Sequence, residues 1–108
     1  MYKINGTTIT LTKGDSFYCS IELKQNGQAY TPQEGDVITF GLKKKEFDTT
    51  ALITKVVPND TLLLYITPND TKQLQTGVYV YDLELTYANG DVDTFINKAE
   101  LNLVAEVI

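Results

Sequence analysis

The sequence predicts an all-β fold, an antiparallel sandwich of about seven to eight strands. Apolar residues alternate with polar ones along most of the chain, and turn signals recur about every ten residues. No stretch keeps the 3.6-residue apolar period of an amphipathic helix over several turns. Residues 1–108 match the commonest size of a domain, so we expect a single domain.

The alternation defines the strands in chain order. Ser16–Leu23 shows it best, with Phe17 and Cys19 inward and Tyr18 outward, as expected where one sheet face is buried and the other wet. The longest strand, Gly77–Tyr87, places tyrosines and leucines on one face. The predicted strands are Thr7–Thr12, Ser16–Leu23, Val37–Lys43, Ala51–Val57, Leu62–Thr67, Gly77–Tyr87, Val92–Asn97 and Leu101–Val107.

The segments between the strands have the composition of turns. The strongest signal is Asn26-Gly27, and the sequence Pro-Asn-Asp-Thr occurs twice, at Pro58–Thr61 and Pro68–Thr71. Proline, asparagine and aspartate are what turns and helix starts require, which favours turns over a metal-binding repeat. At the second copy, Asp70 or Thr71 is predicted to cap one helical turn. The remaining turns are Lys13–Asp15, Pro32–Asp36 and Ala88–Asp91.

The composition argues against several classes of protein. The net charge is −5 and all nine cations are lysines, whereas nucleic-acid binders need a basic face. There is no histidine, and Cys19 is the only cysteine, which leaves no catalytic triad, zinc site or internal disulfide. We therefore expect a non-catalytic protein without a cofactor or metal. No apolar run is long enough for a membrane span or a signal peptide, and folding in a reducing cytoplasm fits best.

Two acidic groups and one basic run were weighed as sites. Asp82 and Glu84 share one strand face at a separation that glycosidases use, but an exposed polar face is the simpler interpretation. Asn89, Asp91 and Asp93 surround a turn and offer oxygen ligands to calcium, although ordinary turn chemistry explains them. Lys43–Lys45 is interpreted as a solvated strand end that resists further pairing.

A tyrosine near the start of the longest strand indicates which kind of β-sandwich to expect. Immunoglobulin-like domains place a tyrosine at the start of their sixth strand, where its hydroxyl bonds to backbone a few residues upstream. Gly77 allows the chain to turn there, Tyr79 is the corner tyrosine, and Tyr81 stands where antibodies have a cysteine. The pattern predicts an immunoglobulin-like sandwich; the alternative is that Tyr79 merely packs in the core.

Some strands are apolar on both faces, which one small core does not require. Leu62–Ile66 is the clearest case, and Ala51–Val57 is similar. Either another subunit covers the second face, or the polar loop Glu46–Thr50 does. The predicted interface residues are Leu52, Ile53, Val57, Leu63, Tyr65, Val78 and Val80.

Two runs of motifs carry a resemblance to a known family. The first extends from Phe17–Leu23 through Asn26–Tyr30 to Gly35–Phe40, and the second joins Gly77–Leu85 to Asn89-Gly90-Asp91, Thr94 and the final strand. In this order the motifs resemble the small immunoglobulin-like domains of phages and prophages of low-GC Gram-positive bacteria. Within this family, the sequence resembles the N-terminal domain of phage baseplate upper proteins.

The resemblance implies a structural role in the baseplate, tail or capsid surface. It also implies that the partners are other phage structural proteins and that the chain is a homo-oligomer or an assembly subunit. The protein would reside in the host cytoplasm during assembly and then in the virion. Baseplate upper proteins continue into helices, whereas this sequence ends at Ile108, so a free-standing adaptor, tail-tube decoration or cement protein is equally compatible. The alternative function is a carbohydrate-binding module, whose stacking rings would be Tyr2, Tyr18, Tyr30, Tyr65 and Tyr87.

Overall fold

The computed structural model describes the backbone of residues 2–105 and the side chains of residue 4 and residues 6–105. These residues form ten strands and one five-residue helix, so the all-β prediction is confirmed. Val107, predicted to point inward, lies outside the described residues. The elements are β1 Tyr2–Asn5, β2 Thr8–Thr12, β3 Phe17–Ser20, β4 Lys24–Gln25, β5 Gln28–Ala29, β6 Val37–Lys43, β7 Ile53–Val57, β8 Leu63–Ile66, α1 Pro68–Lys72, β9 Gly77–Thr86 and β10 Val92–Val104.

The strands form one large sheet and two small ones. The large sheet has the order β1-β2-β10-β9-β6-β7, and β3-β8 and β4-β5 are separate pairs. All pairs are antiparallel except β2 with β10, so the purely antiparallel prediction is wrong at that position. A parallel pair needs a long connection, and here the chain between Thr12 and Val92 supplies it.

Strand boundaries differ from the prediction at both ends of the chain. β1 was not predicted, and it pairs with β2 through four residues. Val92–Asn97 and Leu101–Val107 were predicted as two strands but are one, β10, whose register shifts around Lys98. Lys98 has a φ of 56° and donates its backbone N–H to Asp82 Oδ1 at 2.7 Å. The predicted interruption is therefore a bulge that Asp82 holds.

The apolar faces of the large sheet and of the β3–β8 sheet share one core. Phe17 from β3 and Ile66 from β8 are fully buried, as are Phe40 on β6 and Leu101 on β10. Each such side chain stabilises the fold by about 1.5–3 kcal/mol relative to exposure, so the core outweighs any single polar contact. The inward alternation predicted for Val37–Lys43 and Gly77–Tyr87 is observed.

Helix α1 lies where a helical turn was predicted, but its cap is different. Thr67 is the N-cap, and its side chain accepts from Asp70 N while Asp70 Oδ2 accepts from Thr67 N at 2.7 Å. Asp70 is thus the third helical residue of a capping box and not the cap. The buried Thr71 hydroxyl accepts from Gly14 N at 2.9 Å, which joins α1 to the loop before β3.

The predicted corner residues surround the start of β9. Tyr79 is buried, and its hydroxyl donates to the carbonyl of Gln75, four residues upstream, at 2.5 Å. Gly77 has a φ of 149°, which a side chain would not adopt readily. Lys44 lies over the Tyr79 ring at 4.6 Å, so this lysine of the basic run packs on the corner and is not merely solvated. Tyr81 donates its hydroxyl to the Thr7 carbonyl.

We expect Tyr79→Phe to lower the free energy of unfolding by about 1–2 kcal/mol, because it leaves a partly buried carbonyl without its partner. Urea titration followed by circular dichroism measures this loss. Tyr18→Phe is the control, because its hydroxyl bonds to the exposed side chain of Tyr65 and not to a partly buried backbone carbonyl. Equal midpoints for the two variants would contradict a structural role for the hydrogen bond of Tyr79.

A second polar anchor lies before β6. The Asp36 carboxylate accepts from Tyr30 Oη at 2.6 Å, Gln33 N at 2.8 Å and Ala88 N at 3.1 Å. The Asp36 carbonyl also accepts from Asn59 Nδ2 at 2.8 Å. Asp36 therefore ties its own loop to the β9–β10 and β7–β8 connections. The Tyr30 hydroxyl is the main cause of the lowered pKa of Asp36, and the same bond raises the pKa of Tyr30 to about 12.

A carboxylate whose pKa is lower in the folded state stabilises the fold above its unfolded pKa of about 3.9. That contribution is lost as the pH falls through the folded pKa. Asp36→Asn should therefore lower the urea midpoint at pH 7, and its difference from the unmodified protein should shrink below about pH 4. Asp93→Asn, on an exposed residue, is the control. A difference that does not depend on pH would contradict this role of the Asp36 charge.

Candidate interaction surface

Two of the predicted interface residues belong to the core. Val57 is only 1% exposed, and Ile53 is also buried. Along β7 the residues Ile53, Lys55 and Val57 face inward, whereas Val56 is 66% exposed. Ile53 and Val57 were predicted at an interface because Ala51–Val57 is apolar on both faces, but both side chains point into the core. Lys55 lies on the same inward face, where it pairs with Asp70 at 2.8 Å.

The other five predicted interface residues do not form one surface. Leu63 and Tyr65 lie on the outer face of the β3–β8 sheet. Val78 and Val80 lie on the outer face of the large sheet, where Val80 pairs with Lys43. Leu52 is exposed just before β7. Since the core lies between the two sheets, these residues are divided between opposite sides of the molecule.

The outer face of the β3–β8 sheet carries a compact apolar group, which we call the tyrosine face: Tyr18, Ser20, Leu63 and Tyr65. Tyr18 pairs directly with Tyr65, and their rings stack at 4.3 Å with an interplanar angle of 4°. Tyr18, Tyr65 and Leu63 are 46%, 38% and 36% exposed. The tyrosine face therefore presents rigid aromatic and aliphatic surface, the composition typical of protein interfaces.

The loop Glu46–Thr50, the alternative cover for the apolar strands, contacts the opposite side. Glu46 pairs with Lys98 at 3.3 Å over a groove of about 240 Å³ on the large sheet. Gly41, which has no side chain, forms the floor between Asp82 and Thr54. Asp82 and Glu84 line this groove, but Asp82 is engaged by the β10 bulge. Most of the residues that line the groove are polar or charged, and Phe47 in the loop is exposed.

The turn weighed as a calcium site is held by its own side chains. Asn89 Oδ1 accepts from Asp91 N at 2.9 Å, and Asn89 Nδ2 donates to Asp91 Oδ2 at 3.3 Å. Asp93 is exposed on β10. Across the described residues, no three acidic or cysteine side chains are grouped closely enough to hold a metal ion.

The tyrosines considered as sugar-stacking rings form two separate pairs. Tyr18 and Tyr65 stack face to face, whereas Tyr30 and Tyr87 meet edge to face at 5.9 Å. The Tyr30 hydroxyl donates to Asp36, and the Tyr87 hydroxyl accepts from Gln25 at 3.2 Å. The ring of Tyr2 lies outside the described side chains. Among the described rings there is no row of parallel, open faces for a sugar chain.

An apolar cavity of about 360 Å³ opens between β3 and the β1–β2 hairpin. Cys19 and Leu64 line it from the smaller sheet, and Tyr81 lines it from the larger. Burial raises the pKa of Cys19 and raises the pKa of Tyr81 to about 12. Glu22 is the charged residue at its rim. The remaining lining residues are Ile4, Gly6, Thr7, Ile9, Ser20, Ile21, Leu83 and Ile96.

Sequence reasoning missed this cavity. Cys19 was predicted to be a buried core residue, but it is only half-buried at the cavity. The cavity exists because β1 pairs with β2 and leaves the adjacent edge of β3 open. The one feature of the sequence that could have indicated a cavity is the small size of Cys19 among the residues predicted to point inward from this strand.

Comparison with known proteins does not assign the chain to a family. No protein-family model matches it, and no curated protein matches it. The described residues contain no helix with the length and apolar character needed to cross a bilayer.

We expect Cys19 to react with a maleimide several-fold more slowly than Ser20→Cys in a Cys19→Ser background, because burial disfavours the thiolate. Its rate should also keep rising at a pH where that of the exposed cysteine has levelled off. The rates are measured by mass spectrometry, and labelling in urea gives the unfolded reference. Equal rates for the two folded proteins would contradict the buried position of Cys19.

Proposed function

We propose that the chain is a non-catalytic structural domain of a phage or prophage particle that docks onto other subunits in the baseplate, tail or capsid surface. The observation that carries this proposal is the tyrosine face. Stacked aromatic rings beside an exposed leucine form a surface suited to a protein partner, since aromatic side chains in such patches supply most interface energy. The partner would be another structural subunit, met in the host cytoplasm during assembly.

The arrangement of strands supports an immunoglobulin-like sandwich. β10, the last strand, lies between β2 and β9, and β3 pairs with β8 in the facing sheet. The hydrogen bond from Tyr79 to Gln75 has the spacing of a tyrosine corner. Such a domain supplies rigid outer faces and no obvious reaction chemistry. The phage assignment itself rests on the motif resemblance, whose segments fall on β3, β6 and β9.

The proposal is tested on particles purified after prophage induction of the bacterium that encodes the chain. Quantitative mass spectrometry should find the chain at a constant ratio to the major structural subunits. Its absence from every particle and assembly intermediate would contradict the proposal. If the isolated protein instead binds a glycan array while absent from particles, the carbohydrate-binding alternative replaces it.

We expect the double substitution of Leu63→Lys and Tyr65→Lys to reduce incorporation into particles at least tenfold, because desolvating a new charge in an interface costs well over about 1.4 kcal/mol. Val56→Lys places a charge on an exposed apolar residue of the large sheet and is the control. Thermal denaturation shows whether each variant is folded. Normal incorporation of the folded double variant would exclude the tyrosine face as the docking surface.

A further inference from the structure

Strand β3 has one paired edge and one open edge. Its residues pair with β8 from Phe17 opposite Ile66 to Ser20 opposite Leu63. Immediately after β3, Ile21 N donates to the Leu62 carbonyl at 2.8 Å. In an antiparallel pair, hydrogen-bonded positions alternate along the strand. The backbone N–H and C=O of Tyr18 and of Ser20 therefore point away from β8.

No strand among residues 2–105 pairs with that second edge. The Ser20 carbonyl receives only a long contact of 3.5 Å from the Cys19 thiol. The open edge thus offers two N–H donors and two C=O acceptors to an incoming chain, at the spacing of a strand. An open edge of this kind is a template for strand addition.

The apolar cavity lies along the same edge. The inward residues Cys19 and Ile21 line its β3 side, and Ile9 lines its β2 side. A strand added beside β3 would turn every second side chain toward this cavity, because side chains alternate between the faces of a sheet. The edge and the cavity are therefore complementary to one occupant, an extended peptide with aliphatic residues at alternate positions.

Charge further restricts the occupant. Glu22 is the charged residue lining the cavity and is exposed at its rim. Because the chain carries a net charge of −5, an acidic segment would be repelled and a basic one attracted. A lysine or arginine at the end of the segment that passes Glu22 fits this rim.

We propose that the open edge of β3 binds an extended strand of a partner subunit, which places alternate aliphatic side chains in the cavity and a basic residue beside Glu22. This inference rests on the proposed docking function for the source of the strand, and it names the mode of contact. A second copy of β3 fits less well, because its central inward residue is Cys19, a small side chain that leaves the cavity unfilled.

Cys19 provides a direct test through disulfide trapping. If the added strand runs antiparallel to β3, Cys19 lies opposite one of its residues at a non-hydrogen-bonded position, where the Cα atoms of the pair lie about 4.5 Å apart. That separation is within the range of about 4.4–6.8 Å that disulfides span. A cysteine of the bound strand on the cavity side can therefore bond to Cys19, whereas one on the outer side cannot.

The probe is a synthetic seven-residue peptide in which valine and threonine alternate and lysine is terminal. Cysteine replaces each position in turn, and the full chain is incubated with each peptide in a glutathione redox buffer. We expect a mixed disulfide with Cys19 mainly at the one cavity-side position that lies opposite Cys19, at about ten times the yield of a scrambled peptide of equal composition. Uniform yield along the peptide, or yield equal to the scrambled control, would overturn the proposal.

Backbone pairing is tested separately from the apolar contact. N-methylation of the peptide amides that face β3 should abolish trapping. On the protein, Ser20→Pro removes an edge N–H without touching the β8 ladder and should also abolish it, whereas Ser20→Ala should not. Folding of both variants is checked by thermal denaturation. Equal trapping of the methylated and unmethylated peptides would overturn strand addition and indicate an apolar ligand site.

Two charge reversals on the protein test the contribution of the lysine in the peptide. Glu22→Lys should lower trapping of the lysine peptide, and Glu34→Lys, an exposed charge reversal outside the cavity lining, should not. A Cys19 dimer in place of peptide disulfides would show that a second copy occupies the edge and would overturn a hetero-partner. If trapping fails but the chain is found in particles, the docking function stands without this contact mode.

Discussion

The two sheets that enclose the core are unequal in size, and most other features of the structure follow from this difference. Among residues 2–105, six strands form one sheet, while the sheet that faces it has two strands, β3 and β8. The covering pair lies over the core, because Phe17, Leu64 and Ile66 are buried there. β1 extends the larger sheet beyond β2 and does not extend the smaller one. The β1–β2 hairpin therefore faces an uncovered space, and both the apolar cavity and the open edge of β3 follow from that single pairing.

A two-stranded sheet is marginal by itself, so it must be anchored from outside. The anchors are polar and lie at its ends. The capping box at Thr67 begins α1 directly after β8, and Thr71 joins that helix to the loop preceding β3. Lys55 on β7 pairs with Asp70 and links the same helix to the large sheet. Asp36 fixes the loops at three strand connections. The apolar core therefore determines how the two sheets pack against each other. The polar contacts fix the positions of the ends of the β3–β8 sheet.

Local alternation allowed the strands to be predicted, but not their partners. The inward residues of β6 and β9 are properties of short segments, and the structure has them where the sequence predicts them. Most of the failures have tertiary causes. The parallel pair of β2 with β10 joins residues far apart in the chain, which no local pattern specifies. β1 is the exception, because it forms a local hairpin with β2 in which Asn5 lies opposite Thr8. Ile53 and Val57 were assigned to an interface because Ala51–Val57 is apolar on both faces. The structure instead turns Ile53, Lys55 and Val57 inward, where Lys55 pairs with Asp70 of α1. The cavity could not be predicted because it depends on which sheet β1 joins.

The outer faces of the two sheets also differ in their composition. On the large sheet, Val80 lies between Lys43 and Glu100 of the neighbouring strands, and the Glu46–Lys98 pair lies over the groove above Gly41. On the small sheet, the stacked Tyr18 and Tyr65 lie directly beside backbone groups that pair with no strand in the described part of the chain. Side-chain surface and main-chain hydrogen bonding therefore coincide at β3. A partner that pairs with this edge also gains contact with the tyrosine face, so the two features favour the same side of the molecule and a single orientation of docking.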